Sequence, residues 1–146
     1  MKIRKATQKD VPQILKIIRS NNPKYPKRLM KKEIKEMFSR ALLKPTYLIV
    51  EQERKIIGCG GFTRSWADNT IFNIFWINIL PDFQGKGIGT RLIKGMVKTI
   101  KGIKEKPKAK MITLSTNKPR LYKKIGFEKL GKKYDGDYFL MGKVIR

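Results

Sequence analysis

Pro81-Asp82-Phe83-Gln84-Gly85-Lys86-Gly87-Ile88-Gly89-Thr90-Arg91 joins two apolar segments of opposite character. Before it, residues 70–80 carry Ile71, Phe72, Ile74, Phe75, Trp76, Ile77, Ile79 and Leu80, interrupted only by Asn73 and Asn78. A run of this kind predicts a central strand covered on both sides. The two-residue period of a strand puts Asn73 and Asn78 on opposite faces. After the glycines, Ile88, Leu92, Ile93, Met96, Val97 and Ile100 recur at helical spacing. Glycines at 85, 87 and 89 let the chain turn tightly and approach a ligand. The first helical N–H groups then point out of the turn without partners. With the helix dipole they form an anion site that suits a pyrophosphate. Lys86 and Arg91 add charge. The segment does not match the Gly-x4-Gly-Lys of a P-loop. Against the dinucleotide fingerprint Gly-x-Gly-x-x-Gly, its third glycine comes one residue early, and Glu105 falls in a lysine-rich loop instead of at a strand end.

Working outward, the chain alternates helical and extended patterns. Residues 2–5 read as a short opening strand. Thr7 and Asp10 have capping-box spacing, with Asp in place of the usual Glu, ahead of Val11, Ile14, Leu15 and Ile18. Met30, Ile34, Met37, Phe38 and Leu42 suggest a second helix. Residues 46–51 and 55–62 read as strands around a turn at Gln52-Glu53-Arg54. Residues 101–110 form a lysine-rich loop with Pro107 at its centre. Residues 110–115 are a further strand. Pro119 suits the first turn of a short helix ending near Gly126. Residues 127–130 and 138–144 close the chain as strands around Tyr134-Asp135-Gly136-Asp137. The sum is one mixed α/β domain over residues 1–146, with six or seven strands.

Composition narrows the chemistry. There is no histidine, which excludes Ser-His-Asp and Cys-His catalysis and His-ligated metal sites. The single cysteine, Cys59, allows neither an internal disulfide nor a cysteine-cluster metal site, so no metal is expected. In the apolar strand around Cys59 it reads as a small buried hydrophobe. Thirty-five basic residues against eleven acidic ones make the net charge +24. Such a chain attracts nucleic acid, an anionic membrane surface or a phosphorylated cofactor; a generally basic host proteome would also account for it. No apolar run reaches the length of a membrane span, and Met1-Lys2-Ile3-Arg4 lacks the apolar stretch of a secretory signal. The expectation is a cytoplasmic protein.

Gln84-Gly85-Lys86-Gly87-Ile88-Gly89, with Pro81 three residues earlier, resembles the acetyl-CoA pyrophosphate loop of the GNAT superfamily of N-acetyltransferases. Leu121-Tyr122-Lys123-Lys124-Ile125-Gly126-Phe127 resembles the family's downstream Leu-Tyr-x-Lys-x-Gly-Phe signature, and Tyr138-Phe139-Leu140-Met141 its last strand. The resemblance covers the whole chain. It implies a mostly antiparallel sheet splayed between its fourth and fifth strands, flanked by about four helices, with acetyl-CoA in the opening. By match, Ile77, Asn78 and Ile79 would pair with the pantetheine arm. Gln84, Gly85, Lys86, Gly87, Ile88, Gly89 and Thr90 would hold the pyrophosphate. Lys124, the lysine of the signature, and Asn117, closer to Tyr122 than the family's spacing, would also contact the cofactor.

Tyr122 matches the general acid that protonates the departing thiolate. A phenol pKa of about 10 lies close enough to a thiol's of about 8.5 for that transfer. The chain departs from the family at the base. Many relatives carry a glutamate where this chain has Asn73, and an amide cannot accept a proton at neutral pH. Ordered water could serve instead. Asp68, Asp135 and Asp137, together with Asn73, are candidate acceptor-binding groups. The implied activity is acetyl transfer from acetyl-CoA to a primary amine of unidentified acceptor, by direct attack, in a monomer or homodimer. Two other readings remain open: a basic nucleic-acid- or ribosome-associated module, and a CoA-binding protein without catalysis. The charge disfavours a polycationic acceptor.

Overall fold

A computed structural model describes residues 1–146. Seven strands form one sheet: β1 (Lys2–Lys5), β2 (Thr46–Gln52), β3 (Lys55–Arg64), β4 (Ile71–Ile79), β5 (Met111–Thr116), β6 (Glu128–Lys129) and β7 (Phe139–Val144). Their order across the sheet is β1-β2-β3-β4-β5-β7-β6. Four helices flank it: α1 (Val11–Asn21), α2 (Lys27–Lys35), α3 (Ile88–Lys101) and α4 (Pro119–Lys123). Every strand pair is antiparallel except β4 with β5, which run parallel. That parallel ladder is short. It pairs Ile71, Phe72 and Asn73 with Met111, Ile112 and Thr113, and then stops. Residues 74–79 of β4 and 114–116 of β5 share no rung, so the sheet opens between them.

Each face of the sheet buries one amphipathic layer. The apolar positions of α3, from Ile88 to Ile100, are all buried against Ile57, Phe72, Ile74, Ile112 and Leu114. On the other face, Ile14, Ile17, Ile18, Met30 and Ile34 of α1 and α2 cover Tyr47, Ile49 and Cys59. A fully buried Leu or Ile contributes about 1.5–3 kcal/mol, so these two stripes hold the layers together. The expected capping box forms in a 3-10 turn: the Thr7 N–H and hydroxyl both donate to Asp10 Oδ2, at 2.7 and 3.2 Å. Arg4 of β1 closes on the same carboxylate and on Glu51, tying β1 to the start of α1. The β2–β3 turn uses Glu53 and Arg54 at φ 52° and 64°, the left-handed pair a tight hairpin requires.

Three expectations need correction. Leu42 does not belong to the second helix. α2 ends at Lys35 and a 3-10 turn at Phe38, where the Ser39 hydroxyl donates to Glu36 O and accepts from Ala41 N–H. That local turn sends the chain outward and leaves Leu42 84% exposed. β6 is shorter than expected, covering only Glu128 and Lys129. Asn73 and Asn78 do not face opposite ways. Cys59 pairs with Asn78 while Gly61 pairs with Phe75, so β4 carries one extra residue there, and Trp76 takes φ 51°. The bulge shifts the strand's phase by one. Phe72, Ile74, Ile77 and Ile79 all face α3, while Asn73, Phe75, Trp76 and Asn78 turn toward the α1–α2 layer.

Candidate active site

The opening between β4 and β5 becomes a cavity of about 860 Å³. Residues 74–79 of β4 form one wall and 114–118 of β5 and its following loop the other. The C-terminus of α1, the glycine turn and Tyr122 complete it. At the turn, Gly85 and Gly87 adopt φ 76° and 79°, the region that favours glycine. A Cβ at either would meet nothing within 4 Å, so both positions are bare toward open space. Gly87 caps α3, and the first helical bond runs from Arg91 N–H to Gly87 O. The amides of residues 85–90 therefore have no backbone acceptor. They gather at the positive end of a fourteen-residue helix, which suits an anion.

The side chain of Gln84 serves the loop itself. Its Nε2 donates to Ile79 O at 2.9 Å and to Asn21 Oδ1 at 3.0 Å. Asn21 Nδ2 in turn donates to Ile79 O and to Asn78 Oδ1, and Asn22 Nδ2 reaches the same Asn78 oxygen. These amides fasten the end of α1 to the end of β4 and to the glycine turn. Asn78 is thus a buried side chain bonded to a helix, not within the sheet. Asn21 and Asn22 line the cavity, and sequence reasoning passed over them. They stand in a polar helix end whose partners lie far along the chain, so no local pattern marks them.

Tyr122 is buried, with its ring edge-on to Phe127 at 5.8 Å between centroids. Its hydroxyl makes no hydrogen bond within the protein, yet it is not sealed off, since no enclosed side-chain N or O lacks a partner; it opens to the cavity. Burial pushes its pKa up to about 12, which keeps the phenol protonated at neutral pH. Asn117 and Lys118 line the same cavity. Lys86 turns away and lies 5.5 Å over the Phe83 ring, and Lys124 is exposed outside the lining.

The proposed acceptor-side groups are scattered. Asn73 stands at the last β4–β5 rung, where its Nδ2 donates to Thr113 Oγ1 at 2.6 Å and clamps the strands just before they part. Asp68 accepts from the N–H and hydroxyl of Thr70, which hold its carboxyl below the usual carboxylate range. Asp137 pairs with Lys133 across an exposed turn at 3.7 Å. None of these, nor Asp135, lines the cavity. The turn that carries Asp135 and Asp137 does border it, through Tyr138 and a hydrogen bond between Tyr134 and Ser115. Cys59 is fully buried, its thiol against Trp76 O and its pKa pushed up to about 12 by burial. Trp66 is exposed. No group of three or more Cys, Asp or Glu side chains is placed to hold a metal ion, and no helix is long and apolar enough to cross a membrane.

The family model of the acetyltransferase (GNAT) domain matches residues 44–129, more than half the chain and the whole stretch from β2 to β6. The chain belongs to the GNAT acetyltransferase family. Among solved structures it superposes on aminoglycoside 6'-acetyltransferase type Ii with a TM-score of 0.81 at 16% identity, over 99% of this chain and 97% of that one. An acetyltransferase of the GNAT family from Streptococcus pneumoniae gives 0.75 at 19% identity, over 99% of both chains. A Mycobacterium tuberculosis protein solved in complex with CoA gives 0.73 at 15% identity, over 100% of both. At these identities the likeness is one of fold. No curated protein matches the chain in sequence.

Proposed function

We propose that this protein transfers an acetyl group from acetyl-CoA to a primary amine. One observation carries the reading: the unpaired amides of the glycine turn, at Gly85 and from Gly87 to Thr90, and the unpaired hydroxyl of Tyr122 border the same cavity, at the point where β4 and β5 part. The amides and the bare glycines suit a pyrophosphate. The β4 edge that lacks a β5 rung beyond Asn73, at Ile77 above all, offers its backbone to a pantetheine arm, while Asn78 is paired with Cys59 of β3. The Ile79 carbonyl is already taken by Asn21 and Gln84, so it serves the frame of the site. Bound acetyl-CoA supplies the acyl group as a thioester. The acceptor ammonium first loses a proton to water, its free amine attacks the thioester carbonyl as the C–S bond breaks, and Tyr122 donates its proton to the departing thiolate and regains one from the new amide nitrogen. Asn73, bonded to Thr113, holds the mouth of the opening and takes no part in proton transfer.

The test is calorimetric titration with acetyl-CoA at physiological salt, on the parent protein and on Gly87→Glu. The substitution forces a side chain into φ 79° and places a carboxylate among the amides. Binding by the parent and its loss in the variant are expected. Equal binding in both, abolished by salt, would leave only the +24 charge at work and would end the acetyl-transfer reading.

A further inference from the structure

Behind the β4 bulge, a carboxylate is held without a cation. Glu33 of α2 is half-buried. Its Oε2 accepts from the Trp76 indole N–H at 2.9 Å, and its Oε1 from the Tyr25 hydroxyl at 2.5 Å. The two rings meet edge to face at 4.9 Å between centroids. Both partners of the carboxylate are neutral. The chain holds thirty-five basic side chains, yet none lies within ion-pair distance of Glu33. The other withdrawn carboxylates, Asp10 and Glu51, are both paired with Arg4. A half-buried charge without a counter-ion is costly unless something offsets it.

The cluster adjoins the cavity on two sides. Trp76 lines it, and Tyr25 follows Asn22, another lining residue, whose carbonyl accepts the Tyr25 N–H at 3.2 Å. Trp76 also adopts φ 51°, a conformation that strains a non-glycine residue and concentrates at functional sites. A carboxylate beside two electron-rich rings is the chemistry of an ammonium site, where ion pairing and cation–π attraction add.

Resting on the acetyl-transfer reading, we propose that Glu33, with the rings of Tyr25 and Trp76, binds the ammonium group of the acceptor amine. Each carboxylate oxygen keeps a lone pair beyond the one its neutral partner uses. The acceptor class follows. It carries one ammonium, since the basic surface elsewhere turns away further positive charge.

The experiment uses the full chain with Trp66→Phe, since Trp66 is exposed and its removal leaves Trp76 as the only tryptophan. Fluorescence of Trp76 is titrated with butylammonium chloride, against butanol and sodium chloride at matched concentrations. A saturable change with butylammonium alone is expected. Glu33→Gln should raise its saturation constant at least about tenfold. Glu128→Gln removes the same charge from the exposed edge strand β6, outside the cluster, and should keep the response. A parent that answers butanol or sodium chloride as it answers butylammonium would overturn the proposal, even if Glu33→Gln does not fold. So would an unchanged constant in Glu33→Gln, or an equal loss in both variants. Acetyl-CoA binding, titrated on the same proteins, separates the two readings: if it persists while the ammonium response fails, only the role of Glu33 falls.

Discussion

At the scale of single residues, the proposed chemistry rests on one hydroxyl. Tyr122 has no partner inside the protein, and burial raises its pKa to about 12. Such a group is a reliable donor at neutral pH and a weaker acid than a solvated phenol, so its proton moves only when a strong base appears next to it. Tyr122→Phe keeps the ring against Phe127 and removes only the hydroxyl. Affinity for acetyl-CoA should stay the same while turnover falls by roughly 10²-fold or more, read as release of free thiol. Unchanged turnover would remove Tyr122 from the mechanism. The frame residues behave differently. Gln84, Asn21, Asn22 and Asn78 use their amides on each other and on the Ile79 carbonyl. Their work is to keep the glycine turn and the end of β4 in one position.

At the scale of elements, the site exists because β4 and β5 are paired for three rungs and then part. The Asn73–Thr113 bond closes the paired end, and the amide cluster fixes the open end. The far edge of the sheet is secured by Arg4, which bonds Asp10 at 2.9 Å and Glu51 at 3.1 Å and so ties β1 to both α1 and β2. Arg4 holds the Asp10 carboxyl below its usual range, first through hydrogen bonding. A depressed carboxylate contributes stability above its unfolded pKa of about 3.9, and that contribution is lost as pH falls through the lower folded value. Asp10→Asn should therefore cost about 2 kcal/mol at neutral pH. The gap from the parent should narrow as pH drops below about 4. Urea midpoints of both proteins across that range check it; a gap independent of pH would mean that the charge of Asp10 is irrelevant to its role.

At the scale of the whole molecule, the charge is the dominant fact. Only Arg4 and Lys133 of the thirty-five basic side chains are ion-paired. The remainder repel one another across a surface where the Debye length falls from about 30 Å at 0.01 M salt to about 8 Å at 0.15 M. Thermal stability should rise over that range, by roughly 2–4 °C for each 1 kcal/mol of repulsion screened. A scan of Tm against salt reads it directly, and a flat or falling Tm would show that the charges are already compensated. The same field draws in an anionic donor and turns away polycations. Within it, Glu33 is a local exception.

The sequence by itself determined the parts whose causes lie within a few residues: the α3 stripe from its spacing, the capping box from Thr7 and Asp10, and the anion-binding turn from three glycines and a helix start. The class of the fold was legible there too, because the glycine turn and the segment around Tyr122 stand at matching places in an alternating chain. Tertiary structure alone decided which side chains meet. One extra residue at Trp76 reversed the strand's phase and brought Asn73 and Asn78 to the same face, against the two-residue period. It aimed the Trp76 indole at Glu33, forty-three residues away in the chain. The aspartates expected to bind the acceptor are taken up by local turns or face solvent outside the cavity. Periodicity and backbone preference are local properties, but contact depends on register, and a single inserted residue changes register for everything beyond it.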